Sequence, residues 1–487
     1  MKTRLALLLC LVGVSGSAQS AGTFTATGSM ITPRFGHMAT LLPNGKVLIA
    51  GGVTICFLQS QPCIGPNSAE LYDPSTRAFT ATGAMNIIRP IGGVLLPNGK
   101  VLFAESYNVI GVLASVELYD PTDGVFNSAG NAATLAALDS ATLLNDGRVL
   151  LTGWSNQGGG AEIYDPVAET FSPVDDWPPD SGFVPYLALL LPDGRVLLAT
   201  ADSMALYDPV AGAFTKFSAW AFNDTPPAVL LPDGQVLVTG GNTDCCVNVN
   251  WAELLDPAAG AFIATGGMSS ARDGHTASLL PDGTVLVAGG GTNIFDSATK
   301  ITLLTASAEL FDPAGGSFSP TGWMTTPRLS HAAVLLNNGQ VLVTGGQLSS
   351  PPEGPSRTFT GSSSAELYTA AVLIPAPTLF SLSGGGQGQG AIWHAATGQV
   401  ASSQSPAVAG EILSMYTTRL MEGGVIPPQV AIGGKLAQIL FFGDAPGYPG
   451  YYQVNFRVPS SVAPGPAVPL RLTYIGRPSN EVTIGVQ

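Results

Sequence analysis

Formal charge is scarce in this chain: Asp, Glu, Lys and Arg make up only 11% of its 487 residues. The few charges are unbalanced, with 19 Lys and Arg against 33 Asp and Glu and a net charge of −14. Such an acidic body excludes nucleic acid and anionic membrane as natural partners. Beyond the first 20 residues no apolar run approaches the ~18 residues of a membrane helix, so no membrane insertion is expected. Histidine is limited to four residues and cysteine to five. Nucleophile elbow, Walker loop, HExxH and dinucleotide fingerprint are all missing.

Glycine and proline, by contrast, are abundant, with 60 and 38 residues. That mixture suits many short strands joined by tight turns. The chain opens with Lys2 and Arg4, a ten-residue apolar run from Leu5 to Val14, and the small residues Ser15 to Ser20. This is the pattern of an export signal over residues 1–20, cleaved after Ala18 or Ser20. Cys10 lacks the small residues expected before a lipidated cysteine, so a secreted protein is expected, extracellular, at the cell surface or periplasmic. The mature chain keeps Cys56, Cys63, Cys245 and Cys246. An even number in an exported chain favours disulfides, and four cysteines allow three pairings. The simplest is Cys56–Cys63 with a vicinal Cys245–Cys246 bridge.

One phrase recurs: two leucines, a turn, an apolar strand. It is seen at Leu41-Leu42-Pro43-Asn44-Gly45-Lys46-Val47-Leu48 and around Asn98-Gly99, Asp146-Gly147, Asp193-Gly194, Asp233-Gly234, Asp282-Gly283 and Asn338-Gly339. Seven Asn-Gly or Asp-Gly pairs predict seven type I′ hairpins, with positive φ at both central positions. From Gly45 to Gly339 the mean period is 49 residues. Periods of that length point to propeller blades. Each repeat divides into four strands. A carries the leucines and B runs into a glycine doublet such as Gly51-Gly52. C is the Ala69-Glu70-Leu71-Tyr72 phrase before Asp73-Pro74, and D follows. The last repeat lacks strand D, while Gly22 to Gly28 is an orphan D at the start, so pairing the two closes the ring.

The glycine doublets and the strand-C aromatic resemble the kelch repeat over roughly residues 23–370. The resemblance implies an all-β fold: a seven-bladed kelch-type β-propeller over residues 21–371, closed by the N-terminal strand. Residues 372–487 read as short strands punctuated by Pro and Gly, and an immunoglobulin-like β-sandwich is expected there. The segments Gly388 to Ile392, Pro449 to Asn455 and Ser479 to Ile484 resemble a C-terminal module of large exported proteins of soil bacteria.

Antiparallel blades send their B–C and D–A connections to one face, and here only those connections vary in length. Loops on a rigid scaffold are where function concentrates. Trp154, Trp177, Trp220, Trp251 and Trp323 all map to that face, with Asp175, Asp176, Asp180 and Asp224 nearby. Aromatic faces ringed by a few polar groups suit sugars. The candidate ligand-binding set is therefore Trp154, Asp175, Asp176, Trp177, Trp220, Asp224 and Trp251. His37, His275 and His331 each follow an arginine (Arg34, Arg272, Arg328) by three residues at one repeat register. They are read as architecture rather than as a metal site. Glu70, Glu117, Glu162, Glu253, Glu309 and Glu366 recur likewise in strand C, as partners for those arginines.

A kelch propeller followed by an immunoglobulin-like domain resembles galactose oxidase and related copper radical oxidases. That resemblance implies two tyrosines, one cross-linked to a cysteine, and two histidines on copper. With both disulfides formed no cysteine is spare, and only His394 lies outside the repeat. The expectation is thus a monomeric, cofactor-free and metal-free binding module that recognises carbohydrate or an extracellular protein. A polysaccharide-active enzyme using loop carboxylates and a purely structural surface protein are the alternatives.

Overall fold

The computed structural model describes residues 22–57, 64–87, 90–105, 113–155, 158–175, 177, 185, 187–200, 203–217, 226–243, 247–296, 299–348, 358–371, 377–418, 420, 428–446, 448, 451–474 and 477–487. Every regular element among them is a β-strand. Up to residue 371 the strands form seven four-stranded antiparallel sheets plus small accessory sheets. Sheet 1 is representative, with A (Met38–Leu41), B (Val47–Ala50), C (Ser68–Asp73) and D (Ala78–Ala84) in spatial order. In the last sheet the fourth place is taken by Thr23–Ala26, which pairs with Ala365–Thr369 in the register Thr23↔Thr369 to Ala26↔Glu366.

The first four residues of strand B are buried in every sheet, because both its faces are covered there. Val47, Leu48, Ile49 and Ala50 are all 0% exposed. Alternate side chains enter the gaps on either side. Leu48 and Ala50 meet Val101 and Phe103 of sheet 2, while Val47 and Ile49 meet Leu342 and Leu367 of sheet 7. A hydrophobic cluster fills every gap from sheet 1 round to sheet 7 and back. Each buried Val or Leu contributes roughly 1.5–3 kcal/mol. The result is a β-propeller-like body.

The A–B turns differ from the expected type I′. Gly45, Gly99, Gly147, Gly194, Gly234, Gly283 and Gly339 have φ of 81–90°, but none of the preceding Asn or Asp residues has positive φ. Leu42 accepts the amide of Gly45 at 2.9 Å and donates to Lys46 O at 2.8 Å. That is a type I turn followed by a left-handed glycine, the three-residue hairpin with a G1 bulge. Pro43 favours it, since its fixed negative φ suits the first central position of a type I turn.

Residues 377–487 form a separate antiparallel array of nine strands wrapped round its own core. Ile412–Thr418 and Tyr452–Arg457 lie side by side, flanked by Ile392–His394 on one edge and Lys435–Asp444 on the other. Leu413, Met415, Val454 and Phe456 point inward and are 0% exposed. This unit abuts the turn face of the propeller-like body. Gln438, Arg457 and Ser460 line a crevice opposite Gly147, Arg148 and Asp165.

Candidate functional site on the loop-bearing face

The connections between strands B and C build a second layer on one face. Ile55–Phe57, from sheet 1, pairs with Thr358–Gly361 of sheet 7, bringing Cys56 opposite Phe359. Sheet 6 contributes the hairpin Gly291–Asp296 and Thr299–Leu304, and sheet 5 the short pair Asn242–Thr243 and Val247–Asn248. A polar chain ties these two together. Asn242 Nδ2 donates to Asp273 Oδ2 at 3.2 Å and Asn248 Nδ2 to Asn242 Oδ1 at 2.7 Å, while Asn248 Oδ1 accepts the Asn293 amide. Asn242 and Asn248 are each 8% exposed, so these bonds satisfy groups that would otherwise be costly to bury.

Beneath that layer lies the register of the histidines. Each follows its Arg by three residues, and the Arg is fully buried. Arg34 meets Glu70 at 2.8 Å, Arg272 meets Glu309 at 2.6 Å and Arg328 meets Glu366 at 2.7 Å. The carboxylates also accept backbone amides, as Glu70 does from Ile31 and Thr32. In sheet 3 the register holds Ala136 in place of an Arg, and in sheet 2 it falls at Ile88-Arg89, outside the described residues. Among the described residues of these two sheets amides do the work, Glu117 accepting from Asn86, and Glu162 from Ala133, Thr134 and Leu135. The repeated Arg and Glu are scaffolding.

The imidazoles bond across sheet interfaces. His37 Nε2 meets Thr344 Oγ1 at 2.8 Å, His275 meets Thr239 at 2.9 Å and His331 meets Thr276 at 2.9 Å. All three Nδ1 atoms are buried without a partner among the described residues. An orphan lone pair costs less than an orphan N–H, which favours Nε2–H donating to the threonine. Burial, with the nearby Arg charges, lowers the pKa of His37 and of His275 to about 3 and that of His331 well below its ordinary value.

Sheet 3 carries Asp139 at this register. It lies five residues before Leu144, as His37 lies before Leu42, and both leucines donate to the residue four further on. Sheet 2 presents Ala104 where other sheets present Thr239 or Thr344, so the threonine that meets the histidines has no counterpart for Asp139. Its Oδ2 is buried with no partner among the described residues, and burial raises its pKa to about 6. Asp139 sits in a bulge between Leu138 and Ser140, two residues from Ala137, which pairs with Trp154. Sequence reasoning passed over it. The available signal was a carboxylate at a position that is histidine in three other repeats.

The predicted ligand residues fare differently. Trp154 and Trp251 are 44% and 50% exposed, as is Trp323 at 70%. Trp177 is half-buried and packs edge-on against Phe214, ring centres 5.1 Å apart, within the contact of sheets 3 and 4. Asp175 is exposed. Asp176, Asp180, Trp220 and Asp224, with Cys63, Cys245 and Cys246, lie outside the described residues. In the C-terminal unit, His394 donates Nδ1 to Glu411 at 2.5 Å and faces Ser405 O from Nε2 at 2.9 Å. Hydrogen bonds to Ser405 O and Glu411 outweigh burial and raise its pKa. With both nitrogens so engaged, His394 clamps the Ser402–Ser405 turn to the sheet.

No protein-family model matches the chain, and no curated protein matches it. Among solved structures it is similar to a fungal alcohol oxidase of the AA5 family in complex with copper, at 16% identity and a TM-score of 0.59. That likeness covers 96% of this chain and 100% of the other. It establishes a galactose oxidase-like, β-rich fold.

Proposed function

We propose that this is an exported carbohydrate-binding protein whose loop-bearing face receives the ligand. In this reading the body is a seven-bladed kelch-type propeller and residues 372–487 an immunoglobulin-like sandwich. Seven sheets, seven interfaces and the Thr23–Ala26 closure support it. The observation that carries the binding role is the exposure of Trp154 and Trp251 at strand ends of the braced face. Exposed aromatic rings on rigid strands suit the apolar faces of sugars. A Cys56–Cys63 bridge belongs to this reading. Peptide mapping under non-reducing conditions checks it.

The fold's likeness to a copper alcohol oxidase raises the alternative of an oxidase. The described residues do not fit that ion: no three His, Cys, Asp or Glu side chains among them gather into a site, and the propeller imidazoles are spent on threonines. A hydrolytic role has one specific observation in its favour. Asp139, with Oδ2 buried without a partner among the described residues and its pKa raised to about 6, is the kind of carboxyl that serves as a general acid.

The test is a glycan array probed with residues 21–487 and with a Trp154→Ala/Trp251→Ala variant, followed by reducing-sugar release from any glycan bound. Binding lost in the variant without turnover supports the proposal. Turnover abolished by Asp139→Asn with binding intact favours the enzyme. A wild-type protein that binds no glycan overturns the carbohydrate reading.

A further inference from the structure

The outward face of the C-terminal sheet is lined in a way its fold does not require. Along Ile412–Thr418 and Tyr452–Arg457 the side chains alternate, and while Leu413, Met415, Val454 and Phe456 fill the core, the opposite set faces solvent. An antiparallel sheet with one solvated face normally carries charged and polar residues there. Here Tyr416 stands beside Trp393 with ring centres 5.6 Å apart and beside Tyr448 at 6.0 Å. Tyr451 adds a further ring, paired with Phe380 at 5.7 Å. Tyr448 is 61% exposed and Tyr451 43%, so these rings are not consumed by packing.

Polar groups are interleaved with the rings. The register sets Gln453 opposite Tyr416 and Asn455 opposite Ser414. Gln453 Nε2 donates to Asn455 Oδ1 at 3.0 Å and Ser414 Oγ at 3.3 Å. This orients the two amides and leaves Gln453 Oε1 and Asn455 Nδ2, an acceptor and a donor, without partners among the described residues. The charge is equally informative. The chain carries −14 overall, yet the outward positions 393, 414, 416, 453 and 455 carry none. The first charge along the strand is Arg457, whose guanidinium is engaged by Gln438 and Gly410 O. A face with exposed aromatic rings, oriented amides and no charge is complementary to an uncharged, hydroxyl-rich ligand, and offers nothing to an anion, a cation or a nucleic acid.

We infer that this aromatic face of the C-terminal unit is a binding platform for a neutral polysaccharide. It is independent of the propeller site proposed above, because the C-terminal unit abuts the turn face rather than the loop-bearing one. Its place would let the chain hold a glycan surface while the other face stays open.

The experiment uses the full mature chain, residues 21–487. Binding to microcrystalline cellulose and chitin is measured by depletion, and to soluble β-glucan and galactomannan by affinity electrophoresis. The variants are Tyr448→Ala/Tyr451→Ala, Gln453→Ala, and Trp154→Ala/Trp251→Ala. The expected result is at least a tenfold loss of affinity in the tyrosine variant, a smaller loss in Gln453→Ala, and binding retained in the propeller variant. Circular dichroism and melting temperature verify that each variant is folded. Wild-type affinity in a folded tyrosine variant overturns the inference, as does failure of the wild type to bind any of the four glycans. Binding lost only in Trp154→Ala/Trp251→Ala also overturns it, while leaving the propeller proposal standing. A wild-type dimer that the tyrosine variant turns into a monomer overturns it too, by making the face a contact between copies.

Discussion

Single residues in this molecule are asked to do one of two things: hold adjoining segments together or stay available. Arg328 shows the first. Its guanidinium donates to Gly345 O, Ser364 O and Glu366 with no exposure to water, so desolvation lowers its pKa while Glu366 pulls the other way. Removing one member of such a buried pair strands the other. Arg328→Met is therefore expected to cost about 3–5 kcal/mol, and Arg328→Met/Glu366→Met clearly less, because the double change buries no lone charge. Urea unfolding of the two variants checks this, and equal losses would mean that the carbonyl contacts, not the charge, dominate. The pairing was legible in the sequence, since Arg and Glu recur at fixed offsets from the leucine pair. Asp139 was not, because it occupies the histidine register in a repeat that lacks the arginine. Nothing local marks such a residue. Only the neighbouring sheet, with Ala104 in place of a threonine, leaves its Oδ2 without a partner among the described residues.

At the scale of elements, the turns between strands C and D repeat one geometry with two exceptions. Asp73 caps its own turn by accepting the amide of Ser75 at 2.9 Å, and Arg77 closes it by donating to Asp73 O at 2.7 Å. The closing position needs positive φ: Gly124, Gly212, Gly260 and Gly316 supply it at 73°, 65°, 62° and 56°. Arg77 and Glu169 adopt the same conformation, at 57° and 54°, with a side chain that disfavours it. For an L-residue the left-handed region costs roughly 1–2 kcal/mol, part of which glycine returns as lost chain entropy. Glu169→Gly is expected to stabilise by about 0.5–1 kcal/mol, read as a raised urea midpoint at unchanged m-value. A destabilised variant would show that the Glu169 side chain holds something on this exposed turn. The A–B turns teach a related lesson. Their existence, number and spacing were plain from Asn-Gly and Asp-Gly, but their type was not, since the same bulged turn forms after Pro43 and after Asn145. Dipeptide signals locate a hairpin without choosing its backbone. The aromatic face of the C-terminal unit was hidden for a third reason. Its rings come from segments far apart in the chain, and only strand pairing and the turn at Ala445–Tyr451 bring Trp393, Tyr416 and Tyr448 side by side.

For the molecule as a whole, the weak direction is acid. The three buried histidines span three successive interfaces: His275 joins sheets 5 and 6, His331 joins 6 and 7, and His37 joins 7 to 1. The last two flank sheet 7, where Thr23–Ala26 closes the ring. Folding holds the imidazoles neutral, His37 and His275 at about 3 against about 6.5 in an unfolded chain. A depressed folded pKa gives stability that is complete above the unfolded pKa and is lost as pH falls below it. Three such groups give a slope of up to about 4 kcal/mol per pH unit, since unfolding then takes up about three protons. Asp139 acts with the opposite sign, gaining stability as it is protonated near 6, but it is one group against three. The melting temperature is therefore expected to fall steeply from pH 6.5 to pH 5, before ordinary carboxylates titrate. His331→Gln should flatten that fall by about a third, whatever it does to the absolute stability. An unchanged slope would show that the ring opens elsewhere first, with the histidine interfaces surviving in the opened state. A flattened one identifies the arc from sheet 5 to sheet 1, which includes the strand that closes the ring, as the part of the molecule that yields to protons.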